Sequence, residues 1–277
     1  MDAKQKVWMI TGTSSGFGRA IAEEALRRGD RVVATARDPK SLAALVALAP
    51  ERVKALRLDV TKAGEIEAAA SAAVAQFGQV DVLVNNAGFS IVGAVEETPE
   101  ADLRTTMETM FFGPAALTRA LLPHFRARRT GTVVQLTSVG GLTTAPGFGP
   151  YCAAKHALEG LSEALAAEVA PLGIRVLIVE PGAFRTSLFG AAFRRMKELE
   201  PYAATVWPTR AFVTRVEGAQ AGDPVKAAKA IADAVAAGAP SLRLPLGADA
   251  VQAIRGKLGQ VAADVDRAEP VAEATAF

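Results

Sequence analysis

Short apolar runs rich in β-branched residues alternate with alanine-rich stretches along most of the chain. The runs that predict strands lie at residues 7–10, 31–35, 53–58, 80–84, 132–136, 174–179 and, more weakly, 241–244. Strands this apolar are typical of a parallel sheet covered on both faces, and helices of about 12 to 25 residues fit between them. The alternation therefore predicts an α/β fold, a doubly wound Rossmann-like parallel sheet of about seven strands flanked by helices on both faces.

No linker or internal repeat interrupts this pattern, so we predict a single domain over residues 1–277. The segment 187–222 breaks the alternation and carries several aromatic side chains among charges, glycines and prolines. A long irregular insertion at the carboxyl ends of strands is often a lid, so we interpret this segment as a substrate loop. The alternative is a helical hairpin whose aromatic residues belong to the core. Residues 267–277 are expected to form a weakly structured, flexible tail.

Charge and cysteine content exclude several classes of function. The chain has a formal net charge of +2 with acids and bases interspersed, which predicts neither a nucleic-acid surface nor a membrane anchor. No apolar run reaches the roughly 18 residues of a membrane span, and the first residues lack a signal-peptide pattern. Cys152 is the only cysteine, which fits a cytoplasmic protein, and we expect it to serve packing. His124 and His156 have no partners at ligand spacing, so no metal site is predicted.

A glycine-rich turn, TGTSSGFG at residues 11–18, follows the first predicted strand and opens a helix. Glycine permits positive φ and lets the backbone approach a pyrophosphate closely. The amino end of the following helix offers free N–H groups and a partial positive charge, and two serines add hydroxyl donors. The residues expected to contact a nucleotide here are Gly12, Ser14, Ser15, Gly16, Phe17 and Gly18.

Tyr151 and Lys155 are four residues apart, which places both on one face of a helix. A free phenol has a pKa of about 10, and a neighbouring cation favours the phenolate, so Tyr151 could both give and take a proton. Ser138, thirteen residues before Tyr151, supplies a hydroxyl that can hold a carbonyl oxygen. This combination suits a carbonyl/alcohol redox reaction with a nicotinamide as hydride carrier.

The TGxxxGxG turn, the serine and the YxxxK pair together resemble the short-chain dehydrogenase/reductase family, over about Val7 to Leu246. The resemblance implies an NAD(P)H-dependent oxidoreductase that interconverts a ketone or aldehyde and an alcohol. In such an enzyme Tyr151 would be the general acid or base, and Ser138 would hold the reacting oxygen. Lys155 would bind the nicotinamide ribose and lower the Tyr151 pKa. Besides Tyr151 and Lys155, the further cofactor residues it implies are Asp59, Val60, Asn85, Ala87, Gly88, Pro181, Gly182 and Thr186.

The end of the second predicted strand bears on the choice of cofactor. Ala36 stands where NAD-preferring relatives carry an aspartate, and Arg37 can form a forked contact with a 2′-phosphate. Asp38 could instead pair with Arg37 or turn to solvent. NADP(H) is therefore favoured, and NAD(H) stays possible.

One departure from the family pattern concerns the helix before the Ser138 strand. Many relatives carry an asparagine where this chain has Met110, and a thioether cannot replace an amide's donors and acceptor. In the family, the backbone carbonyl at this position helps to hold a water molecule that relays protons. Pro114 has no N–H to donate to the Met110 carbonyl, so our hypothesis is that this carbonyl holds the relay water without the asparagine side chain. The alternative function is an NADP(H)-binding sensor or scaffold with reduced turnover.

Aromatic residues of segment 187–222, with Phe89, Leu142 and Phe148, favour an apolar substrate. An epimerase or dehydratase of the longer nucleotide-sugar branch would need a larger substrate domain than this chain has room for. In many relatives the helices that match residues 102–128 and 150–170 form a dimer interface. We therefore expect a homodimer or homotetramer, although burial against the sheet would explain the same alanine-rich composition.

Overall fold

The computed structural model describes residues 5–190 and 192–275. Its strands are β1 (Val7–Ile10), β2 (Arg31–Ala36), β3 (Val53–Arg57), β4 (Val82–Asn85), β5 (Ser90–Val92), β6 (Gly131–Leu136), β7 (Ile174–Pro181), β8 (Phe193–Arg195) and β9 (Arg243–Leu246). Seven of them form one parallel sheet in the order β3-β2-β1-β4-β6-β7-β9. The strand order reverses between β1 and β4, and ligands of such sheets bind at that switch point. The predicted doubly wound fold is confirmed.

Helices cover both faces of this sheet. They are α1 (Gly16–Arg27), α2 (Ala43–Leu48), α3 (Ala63–Phe77), α4 (Glu100–Met107), α5 (Gly113–Arg128), α6 (Gly149–Val169), α7 (Trp207–Val216), α8 (Pro224–Ala236) and α9 (Ala248–Glu273). Trp8 and Ile10 of β1 pack with α1 and α8, while Val7 and Met9 pack with α3 and α5 on the other face. Because both faces are covered, all four residues of β1 are buried, which explains the unbroken apolar run.

Helices α4 and α5 form one continuous rod in which residues Glu108–Phe112 make a π turn. The Gly113 N–H donates to the Glu108 carbonyl, five residues earlier, and a Cβ on Gly113 would lie 2.6 Å from the Val60 carbonyl oxygen. The sequence predicted a regular helix here. Single π turns of this kind often occur at functional sites, and this one carries Met110.

The expectation of an irregular loop over residues 187–222 is wrong, because the segment contains a strand and a helix. Strand β8 pairs in parallel with β5, and α7 follows it. The Glu97 carboxylate accepts hydrogen bonds from the Ala94 and Leu199 backbone and from Arg210 of α7. Leu199 and Arg210 are more than 100 residues from Glu97, so the pattern of the chain could not reveal these two partners.

The chain after β9 also differs from expectation. Helix α9 runs to Glu273, so residues 267–273 are helical and the prediction of a weakly structured tail is wrong for them. Alanine and acidic side chains prolong the helix there, and Pro270 lies within it. Residues 276–277 of that predicted tail lie outside the described residues. In the described ranges, the helices are either too short or too polar to cross a membrane.

Candidate active site

A cleft of about 680 Å³ opens at the carboxyl edge of the sheet, around the β1–β4 switch point. Most of the side chains singled out in the sequence line it. They are Gly12, Ser14, Ser15, Gly16, Phe17, Arg37, Asp59, Val60, Ala87, Gly88, Ser138, Tyr151, Lys155, Pro181, Gly182 and Thr186. Gly18 and Asn85, also singled out, lie behind this lining.

The glycine turn is held by close backbone contact. Gly12 and Gly16 have φ of +68° and +57°, which side chains rarely tolerate. A Cβ on Gly18 would lie 2.3 Å from the Gly12 carbonyl oxygen, so only glycine fits. The Asn86 amide donates to the Thr11 and Gly12 carbonyls at 2.7 and 3.1 Å and ties the turn to the loop after β4. Sequence reasoning missed Asn86, although its place in the Asn-Asn-Ala-Gly turn could have indicated this support.

Asn85 supports the cleft from inside the fold. Its amide donates to the Thr118 hydroxyl and to the Gln135 side-chain oxygen, both at 3.0 Å, and the residue is buried. These bonds join β4, α5 and β6 below the cleft floor.

The segment after β7 closes over the glycine turn from the other side. The Ser15 and Ser187 hydroxyl oxygens lie 3.0 Å apart, and the Phe17 and Phe184 rings lie 5.1 Å apart between centroids. A Cβ on Gly16 would meet the Thr186 Cβ at 3.4 Å. The turn and this segment therefore enclose the space at the amino end of α1, where free N–H groups favour an anion.

A cation and a carboxylate lie at the far end of the cleft, after β2 and β3. Arg37 makes no ion pair within the part of the chain that the structure describes. Asp38 accepts from the Lys40 backbone N–H at 3.0 Å and so begins the next short helix. Burial tends to raise the pKa of Asp59, but hydrogen bonds from Thr61 outweigh it, and with the Arg37 charge they lower that pKa. Asp59 therefore stays ionised, and Arg37 is available to an anionic ligand.

Ser138, Tyr151 and Lys155 meet at the other end of the cleft. Ser138 follows β6 and its Oγ accepts from the Gly140 N–H at 3.0 Å, while the other two side chains are buried on α6. A Cβ on Gly140 would lie 3.2 Å from the Tyr151 ring and 3.4 Å from the Ser138 Oγ, so the phenol and the hydroxyl border one spot. The Lys155 Nζ lies 5.8 Å from the Tyr151 ring centroid and donates to the Leu136 carbonyl at 2.7 Å.

Burial dominates the protonation of this group. It raises the pKa of Tyr151 to about 12, and the nearby Ser138 hydroxyl lowers that pKa only in part. Burial also lowers the pKa of Lys155 to about 8, against the opposing charge of Glu159. The sequence led us to expect Lys155 to lower the Tyr151 pKa. In this structure burial dominates the Tyr151 pKa, and the Lys155 ammonium donates to the Leu136 carbonyl.

The wall beyond this group is mostly aromatic. The Phe148 ring lies 6.4 Å from both the Tyr151 and the Phe189 rings. At the rim, the Arg194 guanidinium stacks 4.2 Å from the Phe89 ring centroid and contacts Asp102 at 3.2 Å. The surface is therefore apolar close to the phenol, with one compensated cation at the entrance.

Comparison with known proteins agrees with this geometry. Residues 6–197 match the family model described as short chain dehydrogenase. The chain belongs to the short-chain dehydrogenase family. A short-chain dehydrogenase structure from Streptomyces avermitilis is 52% identical over 100% of both chains, with a TM-score of 0.94. A short-chain dehydrogenase/reductase from Burkholderia phymatum in complex with NAD has a TM-score of 0.81 and is 25% identical over 92% of this chain and 93% of its own. Oxidoreductase BOA17 of Botryotinia fuckeliana is 38% identical over 92% of this chain and 93% of its own length.

The cleft of this short-chain dehydrogenase fits the dinucleotide that its family implies. The backbone at Gly12 and Gly16, and the close approach at Gly18, leave the amino end of α1 open to phosphates. Ser138, Tyr151 and Lys155 lie in the same cleft as the amino end of α1, as a bound dinucleotide would require.

Met110 stands at the position where many relatives carry an asparagine. It is buried at 1% exposure and packs in one cluster with Ile91, Tyr151 and Cys152. A Cβ on Gly88 would lie 3.3 Å from the Met110 sulfur. Burial raises the pKa of Cys152 to about 11, so its thiol stays protonated and packs beside the thioether. This side of the short-chain dehydrogenase site is therefore a small apolar core.

Proposed function

We propose that this chain is an NADP(H)-dependent oxidoreductase that reduces a hydrophobic ketone or aldehyde to an alcohol and catalyses the reverse reaction. The observation that carries the proposal is the placement of Ser138, Tyr151 and Lys155 in the same cleft as the glycine turn. The family membership and the relatives described as oxidoreductases support the general reaction class.

In this mechanism the nicotinamide, when bound, supplies a hydride to the carbonyl carbon or accepts one from the alcohol. The Ser138 hydroxyl holds the reacting oxygen, and Tyr151 donates its proton to that oxygen during reduction. The raised pKa keeps the phenol protonated at neutral pH, which favours the reductive direction. Lys155, buried beside the ring, would bind the nicotinamide ribose when its ammonium turns from the Leu136 carbonyl.

The preference for NADP(H) rests on Arg37. Its guanidinium lines the cleft after β2, Asp38 is engaged by the Lys40 backbone, and no acidic side chain stands at Ala36. A ribose 2′-phosphate would gain a forked contact there. We expect Arg37→Ala to weaken NADPH binding about tenfold, as loss of a charge-assisted pair should. Fluorescence titration should give an unchanged NADH affinity, and equal weakening of both cofactors would argue against a phosphate contact.

A panel of hydrophobic aryl and alkyl ketones with NADPH tests the enzyme directly. The two tyrosines of the chain provide a matched pair of variants. Tyr151→Phe should lower kcat by about 10² to 10⁴-fold, the usual effect of losing a general acid. Tyr202→Phe removes only an exposed hydroxyl that contacts Glu96, and should leave kcat unchanged. Undiminished reduction by Tyr151→Phe would refute the mechanism.

A nucleotide-binding sensor or scaffold with reduced turnover is the second candidate, and buried Met110 beside Tyr151 is the observation that favours it. Tight NADPH binding without oxidation across the ketone panel would support the sensor. The enzyme hypothesis keeps a proton relay through a water on the Met110 carbonyl, because Pro114 has no N–H to donate to it from four residues on. Normal turnover in Pro114→Ala would weaken that part of the proposal.

We further propose a cytoplasmic homodimer or homotetramer assembled through α4, α5 and α6, as is common in the family. The exposed Phe112 and Leu103 on the α4–α5 rod support a contact surface there. Sedimentation that finds only monomer at micromolar concentration would refute the assembly.

A further inference from the structure

Helix α9 leaves the body of the protein, and most of it has no packing partner. Every residue from Arg255 to Thr275 is exposed, yet the helix continues to Glu273. Most helical stability in proteins comes from packing of an apolar face, and Gly256, Gly259 and Pro270 weaken this helix further. The helix therefore needs a surface to pack against, and the described part of its own chain does not supply one.

The apolar residues of α9 form a single stripe with the spacing of a coiled coil. They recur at alternating intervals of three and four residues, at Val251, Ile254, Leu258, Val261, Val265, Ala268 and Ala272. Leu258, Val261 and Val265 are 59%, 42% and 61% exposed. The stripe contains no charged residue, and the opposite face is polar or small, as a helix pair would require.

The charges of α9 are divided between its halves. Residues 248–260 carry two cations and one anion, whereas residues 261–273 carry one cation and four anions. A second copy of the same helix, running the opposite way, would place each basic half beside an acidic half. The side chains that border the apolar stripe are Arg255, Lys257, Ala262, Asp264, Glu269 and Val271.

The two possible directions of pairing differ in these bordering charges. In an antiparallel pair with Leu258 opposite Val261 of the partner helix, Lys257 faces Asp264 of the partner helix, and the symmetry makes this contact twice. In a parallel pair, Asp264 would face Glu269 of the partner helix, which is repulsive. Asp264 contacts Arg267 on its own helix, but an exposed pair of that kind is weak and can exchange partners.

We propose that α9 is a self-association surface, on which two copies of this chain pair through an antiparallel two-helix coiled coil. Ile254 would pack on Val265 of the other copy, and Leu258 on Val261 of the other copy. This contact is separate from the α4–α6 surface, so the two together would build a larger assembly.

Disulfide trapping tests the pairing and its direction. Lys257→Cys combined with Asp264→Cys should give a covalent dimer on a non-reducing gel. Positions seven apart on one helix are about 10.5 Å from each other, too far for a bond within the chain. The control is Ala253→Cys with Gln260→Cys, equally spaced on the outer face, and it should stay monomeric on the gel. Cys152 is buried and adds no background.

Two charge tests quantify the association by sedimentation equilibrium of the full chain. Leu258→Asp with Val261→Asp should weaken the α9 contact about 100-fold, which follows from burying charge in an apolar seam. Ala253→Asp with Ala263→Asp adds the same charge to the outer face and should change it little. Lys257→Asp or Asp264→Lys alone should weaken it about tenfold, and the two combined should restore it.

Several results would overturn the proposal. One is equal cross-linking, or none, in both cysteine pairs. Another is cross-linking by Lys257→Cys combined with Ala262→Cys, which would indicate a parallel pair. A third is association that the seam variant does not alter, since α9 would then fold onto its own body or serve a different protein. Circular dichroism of each variant shows that the fold is retained.

Discussion

The two sides of the cleft are held by different kinds of contact. We call the side formed by the glycine turn the nucleotide wall, and the side formed by the aromatic residues beyond Tyr151 the substrate wall. The nucleotide wall depends on backbone in close contact, with Gly18 against the Gly12 carbonyl and the Asn86 amide fastening the turn. The substrate wall depends on side chains, and behind it lies the buried pair of Glu97 and Arg210, joined at 2.7 Å. The nucleotide wall therefore excludes a side chain at Gly12, Gly16 and Gly18, whereas the substrate wall rests on a buried ion pair.

The Glu97–Arg210 ion pair holds the segment that contains β8 and α7. Glu97 has no exposed side-chain surface and Arg210 has 5%. Arg210 also donates to the Met196 carbonyl at 2.9 Å, and Glu97 accepts from the Leu199 N–H at 2.8 Å. Burial tends to raise the pKa of Glu97, but these hydrogen bonds and the Arg210 charge lower it overall. Strand β8 and helix α7 are thereby held to the body of the protein.

The largest effect should come from breaking this pair. Glu97→Gln leaves the buried Arg210 guanidinium with only the exposed Glu198 carboxylate, 3.9 Å away, and we expect the free energy of unfolding to fall by about 3 kcal/mol. Glu100→Gln is the control, since it removes only an exposed pair with Arg104 and should change stability by about 0–1 kcal/mol. Urea denaturation measures both. Equal losses would mean that the substrate wall does not depend on the buried pair.

A smaller loss of stability, with a specific loss of binding, should follow a change in the nucleotide wall. Gly18→Ala forces a methyl group to within 2.3 Å of the Gly12 carbonyl oxygen, and overpacking of this kind costs about 1–3 kcal/mol. Cofactor affinity should fall with it, because the turn must shift. Gly64→Ala, near the start of α3 with nothing within 4 Å, should be neutral or slightly stabilising. Calorimetry of unfolding and of NADPH binding compares the two glycines, and unimpaired binding by Gly18→Ala would show that the close approach is dispensable.

The smallest effect concerns Lys155, which lies between the walls. Its pKa is about 8 in the folded protein against an ordinary 10.5, so between these values the unfolded state holds a proton that the folded state lacks. The free energy of unfolding should therefore rise with pH in this window, by at most about 1.4 kcal/mol per pH unit. Lys155→Met should lose that slope when measured from pH 8 to 9, below the window of about 10 to 12 in which Tyr151 contributes. An identical slope in both proteins would place the lysine in contact with water.

The difference between the walls also explains what could be predicted. Glycines at 12, 16 and 18, the YxxxK pair and the alternation of strands and helices are local or periodic features, so they were readable from the sequence. The ion pair joins residues 113 positions apart, and the β5–β8 pairing is equally distant, so neither leaves a local pattern. The Lys155 contact with the Leu136 carbonyl depends on rotamers, and the raised Tyr151 pKa depends on burial.

The anchoring of β8 and α7 by the Glu97–Arg210 pair affects how molecules enter and leave the cleft. A hinged flap would admit bulky ligands by swinging aside, and its opening rate would then limit turnover. Here β8 and α7 are anchored through Arg210, so we expect a substrate to enter the cleft between Phe89, Arg194 and Phe189 by its own shape. Selectivity would then depend on the width of the opening between these three residues. Single substitutions of them would change which molecules can enter, while the Glu97–Arg210 pair keeps β8 and α7 in place.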